Sequence, residues 1–405
     1  MDHRDEHRLA GITGGSRALC GPEQIHLDLT NACTLRCLCC WHRSPLLAAG
    51  DIPPHWSPDH RLSYETALGV IEDAAAMGVR RIIFSGGGDP LCHPRTMDLL
   101  RAAAERGLET TLITNLVVAG AETIRTLVEA RLGRLAVSLW AGDEKTYAVM
   151  HPGASFGTFG RIVGLLRGLG APLPPGRGPQ LILTHVLCAR NAGNIEAMVR
   201  LAVELGAGQI WFQPTDVETP RLKPLLLGRA EIAAVVASLE NCAARFRPLL
   251  RPGQEGLLDF SLLLGKLSNS RAHEGVFHSD VIDTMPCYMG WYESRILANG
   301  DVVPCCKADR LPLGSVRERR FRDIWFSPAY DEFRRRALTL SKSDPYFAKI
   351  RCGKFCDDWW LNAIVHRSYL GSRARPGGRD RRGPAKRILS AFLKLAGRRG
   401  GEGGA

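Results

Sequence analysis

The segment 25–41, IHLDLTNACTLRCLCCW, runs from a β-type stretch (Ile25–Thr30) straight into three cysteines spaced Cys33-x-x-x-Cys37-x-x-Cys40. Alternating branched and polar residues predict a strand. The loop after it offers three thiols within eight residues, able to converge on one metal centre. Five more β-type runs follow: Arg81–Ser85, Thr110–Asn115, Leu135–Trp140, Leu181–Cys188 and Gln209–Gln213. Between them lie helix-length segments, Tyr64–Met77, Arg95–Arg106, Ala121–Arg131, Phe159–Leu169 and Ile195–Leu205. Gly78, Gly107, Gly170 and Gly206 stand at their ends, as left-handed C-terminal caps require. Strand–helix alternation predicts a parallel sheet with crossover helices. A closed eight-unit barrel takes about 250 residues. Six units between residues 25 and 215 therefore predict an α/β fold, a partial (βα)6 TIM-like barrel, with ligands at the C-terminal ends of its strands.

A small C-terminal α+β unit is expected beyond it. Tyr292–Ala298 and Val302–Cys306 flank Asn299-Gly300-Asp301, a strong hairpin signal. Arg320–Leu340 reads as helical. The expected layout is an N-terminal extension (1–24), the barrel (25–215), a helical linker (216–284) containing a helix at Gly228–Leu249 and irregular chain at Leu250–Asp280, the small domain (285–362) and a basic tail (363–405). Ala171–Gln180 (APLPPGRGPQ) reads as a Pro/Gly loop.

The chain has 405 residues, 45% of them apolar and 23% charged, which excludes a wholly disordered protein. No apolar run reaches about 18 residues, so no spanning helix is expected. Residues 370–405 hold ten Lys/Arg against Asp380 and Glu402, the larger part of the formal charge of +12. The body is therefore not a basic platform, and no nucleic-acid partner is expected. Ala385–Ala396 (AKRILSAFLKLA) has the pattern of a short basic amphipathic helix, a candidate for peripheral membrane contact. Thirteen cysteines, with no secretory signal at the charged N-terminus, point to a reducing, cytoplasmic setting and metal or redox chemistry rather than a disulfide framework.

Three thiolates can hold a [4Fe–4S] cluster with one iron open, whereas zinc prefers four ligands, and Cys39 could supply a fourth. Both readings stand on this motif alone. The wider pattern resembles the radical SAM superfamily. Ser85-Gly86-Gly87-Gly88-Asp89-Pro90 is similar to that family's GGEP-type turn, with Asp89 for Glu. Thr114-Asn115 resembles its TNG element, with Leu116 for Gly. Val137-Ser138-Leu139 resembles its VSLDG strand, with Trp140 and Ala141 for Asp-Gly. The resemblance implies a [4Fe–4S] cluster on Cys33, Cys37 and Cys40. It also implies an S-adenosylmethionine (SAM) site involving Gly86, Gly87, Gly88, Asp89, Asn115 and Ser138. Trp41 would take the adenine-side role of the usual aromatic, whose place Cys39 occupies. His151 stands where the family often has a basic residue, and Gln213 and Pro214 end the sixth strand near the expected adenine pocket.

Cys287-x12-Gly300-x4-Cys305, then Cys352-x3-Cys356, resembles the opening and close of the SPASM domain in its shortened twitch form. That implies a second, auxiliary [4Fe–4S] cluster on Cys287, Cys305, Cys352 and Cys356. Cys306 is the alternative to Cys305, and a four-thiolate zinc knuckle the alternative to iron. After the last cysteine, Asp357 and Asp358 are expected to be solvated, and Trp359 and Trp360 to cover the cluster.

The resemblance implies reductive SAM cleavage to a 5′-deoxyadenosyl radical, substrate hydrogen abstraction and a flavodoxin- or ferredoxin-type reductant. With an auxiliary acceptor, substrate oxidation is expected, so the chain reads as a radical SAM oxidoreductase. Only 24 residues precede the first strand, which favours a small-molecule or sugar substrate. A peptide-modifying maturase or epimerase is the alternative, with Cys188 or Cys92 as a cavity-facing hydrogen donor. A non-catalytic iron–sulfur carrier is the other rival, but it would need no SAM pocket.

Overall fold

The structure, a computed structural model, describes residues 3–170 and 178–371. Most of the Pro/Gly loop and the amphipathic segment of the tail lie outside the described residues. Six parallel strands form the expected succession: β1 (Gln24–Asp28), β2 (Arg81–Ser85), β3 (Glu109–Thr114), β4 (Arg134–Ser138), β5 (Gln180–Leu187) and β6 (Gln209–Pro214). Helix α1 (His3–Thr13) precedes them. The helices between are α2 (Tyr64–Ala76), α3 (Thr96–Glu105), α4 (Ala121–Glu129), α5 (Glu144–Met150), α6 (Thr158–Gly170) and α7 (Ile195–Glu204). Then come α8 (Arg229–Phe246) and α9 (Ser261–Leu267), the latter inside the stretch expected to be irregular.

Local chemistry explains these boundaries. Ser63 caps α2 by accepting from Thr66 N at 3.1 Å, and Asp143 caps α5 from Thr146 N at 2.8 Å. Ala67, Val70, Ile71 and Ala74 form the buried stripe of α2, the 3–4 spacing of one helix face. Gly78, Gly107 and Gly206 hold φ of +71°, +77° and +68°, the left-handed turn that ends each helix.

The C-terminal region adds α10 (Met289–Tyr292), β7 (Glu293–Ile296), β8 (Asp301–Val303), β9 (Gly314–Ser315), α11 (Phe321–Trp325), α12 (Pro328–Thr339), α13 (Pro345–Ala348) and α14 (Trp359–Gly371). Its hairpin does not build a sheet of its own. β7 pairs in parallel with β1, and the nine strands run in the order β6-β5-β4-β3-β2-β1-β7-β8-β9. The boundary expected at residue 285 thus falls inside one sheet's connectivity. Arg334 anchors this region. Fully buried, it donates to Gly290 O at 2.7 Å and Trp325 O at 2.8 Å, with the Trp325 ring 4.5 Å away. No helix among the described residues is long and apolar enough to cross a membrane.

Candidate active site

The loop leaving β1 carries Cys33, Cys37 and Cys40 at the C-terminal end of the sheet. Burial pushes the Cys33 thiol up to about 11, and burial with the neighbouring thiols raises Cys37 further. Backbone amides aim at the sulfurs: Leu35 N at 3.5 Å from Cys33 Sγ, and the His42 and Arg43 amides at Cys40. Asn115 Nδ2 also lies 3.5 Å from Cys33 Sγ. His151 donates from Nε2 to Leu139 O at 2.9 Å, because a carbonyl can only accept. Its Nδ1 is therefore the acceptor 3.1 Å from Cys37 Sγ. Burial lowers the imidazole to about 4, so it is neutral.

The glycine turn packs on this loop. Asp89 N donates to Ala32 O at 2.8 Å. A Cβ on Gly86 would stand 2.9 Å from Thr30 O, and one on Gly87 or Gly88 would run into Asn31. Glycine is required here by the approach of two protein loops. Asp89 turns inward: it accepts from Thr114 Oγ1 (2.9 and 3.0 Å), Asn115 N (2.7 Å) and Leu91 N (2.9 Å). Burial raises its carboxyl, those donors working against it. The side chain is thus a brace between the ends of β2 and β3, and its carboxylate is not left to meet a ligand. Ser138 Oγ lies 3.2 Å from Thr184 Oγ1.

The second cysteine group also assembles. Cys305 interacts with Cys287 and Cys352, and Cys356 with Cys352 and Cys287. Burial raises all four thiols. Cys306 points elsewhere, its Sγ donating to Glu293 Oε1 at 3.3 Å. The hairpin spacing therefore turns Cys305, not Cys306, toward the group. His278 Nδ1 accepts from Cys356 N at 3.2 Å.

A cleft of about 730 Å³, part of it open to solvent, reaches Trp41, next to Cys40, and Cys306, next to Cys305, and is lined also by Gly87, Trp56, Arg295 and Lys307 among others. Lys307 Nζ sits 4.6 Å over the Trp41 ring and is paired with Asp216 and Glu218. This latch ties the chain after β6 to the hairpin.

Several expectations change here. Cys188 does not face the cleft. It is fully buried with Cys39, Met150 and Leu222, because the end of β5 turns into an apolar cluster. Cys92 sits behind the cysteine loop, beside Thr34 and Cys33, and does not line the cleft either. The thiol that does is Cys306. Asp357 and Asp358 are not solvated. Asp357 accepts from Gln213 Nε2 at 2.9 Å, and Asp358 hydrogen-bonds Glu293; burial raises both carboxyls. Gln213 is held by Asp357 and by Lys266 Nζ at 2.6 Å. Arg295 and Glu293 on β7 and Lys307 were missed from sequence. Their signal was the Asn-Gly hairpin, but its docking on β1 was not written in it.

The donor sets fit iron–sulfur clusters. Three half-buried thiols with amides aimed at them meet a side-chain-free turn, and four half-buried soft thiols gather at the second site. Residues 27–202 match the profile of the radical SAM superfamily, and residues 287–353 that of SPASM, an iron–sulfur cluster-binding domain. PqqA peptide cyclase of Ruegeria pomeroyi is 27% identical over 316 residues, 76% of this chain and 75% of that protein. The tungsten-containing aldehyde ferredoxin oxidoreductase cofactor-modifying protein of Pyrococcus furiosus is 23% identical over 76% of this chain and 82% of its own. Streptococcus suis SuiB bound to precursor peptide SuiA superposes with a TM-score of 0.60 at 16% identity, over 90% of this chain and 77% of that one. The anSMEcpe structure with bound AdoMet and Cp18Cys peptide does so at 0.55 and 13%, over 92% and 99%. At such identities the superpositions speak for the fold.

Proposed function

We propose that this chain, a radical SAM enzyme with a C-terminal SPASM-type iron–sulfur domain, modifies a peptide by forming a bond within it. The observation that carries this reading is the relationship, over three quarters of both chains, to PqqA peptide cyclase. The expectation of a small-molecule or sugar substrate rested on the short segment before β1. Several relatives aligned over about three quarters of the chain are PqqA peptide cyclases, which supports the peptide reading over it.

When bound, the clusters and SAM supply hydrogen-atom abstraction and an acceptor for the electron the substrate gives up. The chain's own residues do the rest. Cys33, Cys37 and Cys40 hold the first cluster, and Cys287, Cys305, Cys352 and Cys356 the auxiliary one. Gly86–Gly88 offer backbone to SAM, with Asn115 and Ser138 at neighbouring strand ends. Trp41, packed beneath Lys307, walls the cleft.

The test offers reduced holoenzyme and SAM either peptides or amino sugars and measures 5′-deoxyadenosine. A peptide is expected to raise its formation over the substrate-free rate and to lose a pair of hydrogens, with a new internal bond in tandem mass spectra. Stimulation by sugars alone overturns the reading.

A further inference from the structure

Apart from the two cysteine groups, a third cluster of ligating side chains reaches the cleft at Cys306. Gln24, His26 and Asp28 alternate onto one face of β1. The parallel register sets Gln24 opposite Glu293 and His26 opposite Arg295 on β7. The hairpin then returns Cys306 to the same place. One ligand atom each from His26, Glu293 and Cys306 lie within 4.8 Å of one another. Glu293 Oε1 is 3.3 Å from Cys306 Sγ, and its Oε2 is 3.9 Å from His26 Nε2. Oε2 also accepts from Gln24 Nε2 at 2.7 Å, which fixes the carboxylate in the pose that faces both partners. Glu293 is fully buried.

Arg295, opposite His26 across the strand pair, is engaged by Asp28 at 2.8 and 2.9 Å. Asp358 also hydrogen-bonds Glu293.

We infer that His26, Glu293 and Cys306 form a mononuclear divalent-cation site, separate from both clusters, of the kind that takes zinc. One imidazole, one carboxylate and one thiolate make a mixed donor set suited to a borderline-soft ion. Three protein ligands leave a fourth position, as in catalytic zinc sites. Cys306 lines the cleft, so that position opens to a water or a substrate oxygen. The site stands whatever the substrate proves to be.

The test loads the cluster-replete protein with one equivalent of Zn²⁺ and records zinc-edge X-ray absorption and iron content. The expected result is a single sulfur scatterer at about 2.3 Å with nitrogen and oxygen at about 2.0–2.2 Å. Cys306→Ser should remove the sulfur shell and leave the iron content unchanged. His26→Asn and Glu293→Gln should each weaken Zn²⁺ binding about tenfold or more, an effect of the size outer-shell changes already produce. Three results overturn the inference: zinc with two or more sulfurs, which places it in a cysteine group; an intact sulfur shell in Cys306→Ser; or loss of iron in Cys306→Ser, which makes Cys306 a cluster ligand.

Discussion

The first cysteine group closes within eight residues of one loop, while the second gathers Cys287, Cys305, Cys352 and Cys356 from three separate segments. One is a property of a loop, the other of a fold. The first needs its strand end and the glycine turn docked on it. The second needs the β7–β8 hairpin to pair with β1, and α12 to be pinned by Arg334 so that Cys287 N can donate to Ala337 O. Damage to the first should therefore stay local, whereas damage to the second should spread.

The largest expected effect separates the two sites. Replacing Cys33, Cys37 and Cys40 with Ala should lower iron from about eight to about four per chain, at four per cluster, and abolish 5′-deoxyadenosine formation. Thermal unfolding should move little. Replacing Cys305 and Cys352 should remove a similar share of iron and end product formation, with 5′-deoxyadenosine still made and the melting temperature clearly lowered. Iron and sulfide analysis with a thermal scan checks both. Equal thermal losses would break the contrast.

The same contrast explains what was legible in the sequence. The barrel strands came within one or two residues of their observed bounds, because βα alternation and glycine stops are local signals. Cys305 was separable from Cys306 only through hairpin spacing. What the hairpin would dock against was not legible: pairing of β7 with β1 joins residues 269 apart in the chain at Gln24 and Glu293. Side-chain direction was the other gap. Cys188 was offered as a cavity-facing donor only under the alternative reading, and Asp357 and Asp358 were read as solvated, yet each is turned inward by the packing of elements far away in sequence. Leu116 shows a local rule overridden. It stands where the resemblance puts glycine and keeps φ +57°, strained for a branched residue, while its side chain is fully buried in the barrel core. Burial of about 2 kcal/mol or more outweighs strain of about 1 kcal/mol.

A smaller effect tests how local the first site is. Asp89→Asn keeps the shape of the brace but sets an amide donor where Thr114 and the Asn115 amide both donate. Hydrogen bonds to a buried charge contribute about 1.5–3 kcal/mol each. The variant should lose about 3 kcal/mol of stability and bind SAM more weakly, with auxiliary-cluster iron retained. Denaturant unfolding alongside iron analysis decides it. Loss of both clusters together would mean that the brace serves the whole fold.

The smallest effect concerns buried imidazoles, one against each cysteine group and one against neither. His151 leans on Cys37 and His278 on Cys356, while both ring nitrogens of His185 on β5 lack a partner. Burial lowers His185 and His278 to about 3 and His151 to about 4. Each is neutral when folded and takes a proton on unfolding below about 6.5. The unfolded state then binds more protons, so stability is full above pH 6.5 and falls as pH drops toward the folded values. At 1.36 kcal/mol per pH unit, each group costs about 2 kcal/mol between pH 6.5 and 5. His185→Phe, set beside Phe212 at 5.3 Å, removes one such group without touching either cysteine site. Its unfolding midpoint should fall less than the parent's between pH 7 and 5, by an amount equal to about 2 kcal/mol. Iron content should be unchanged, because neither ring nitrogen of His185 makes a hydrogen bond to a cysteine. If the two proteins lose stability in parallel, His185 does not titrate on unfolding. The acid sensitivity would then belong to other histidines whose values burial lowers, among them His151 and His278 at the cysteine groups and His26 and His93 elsewhere.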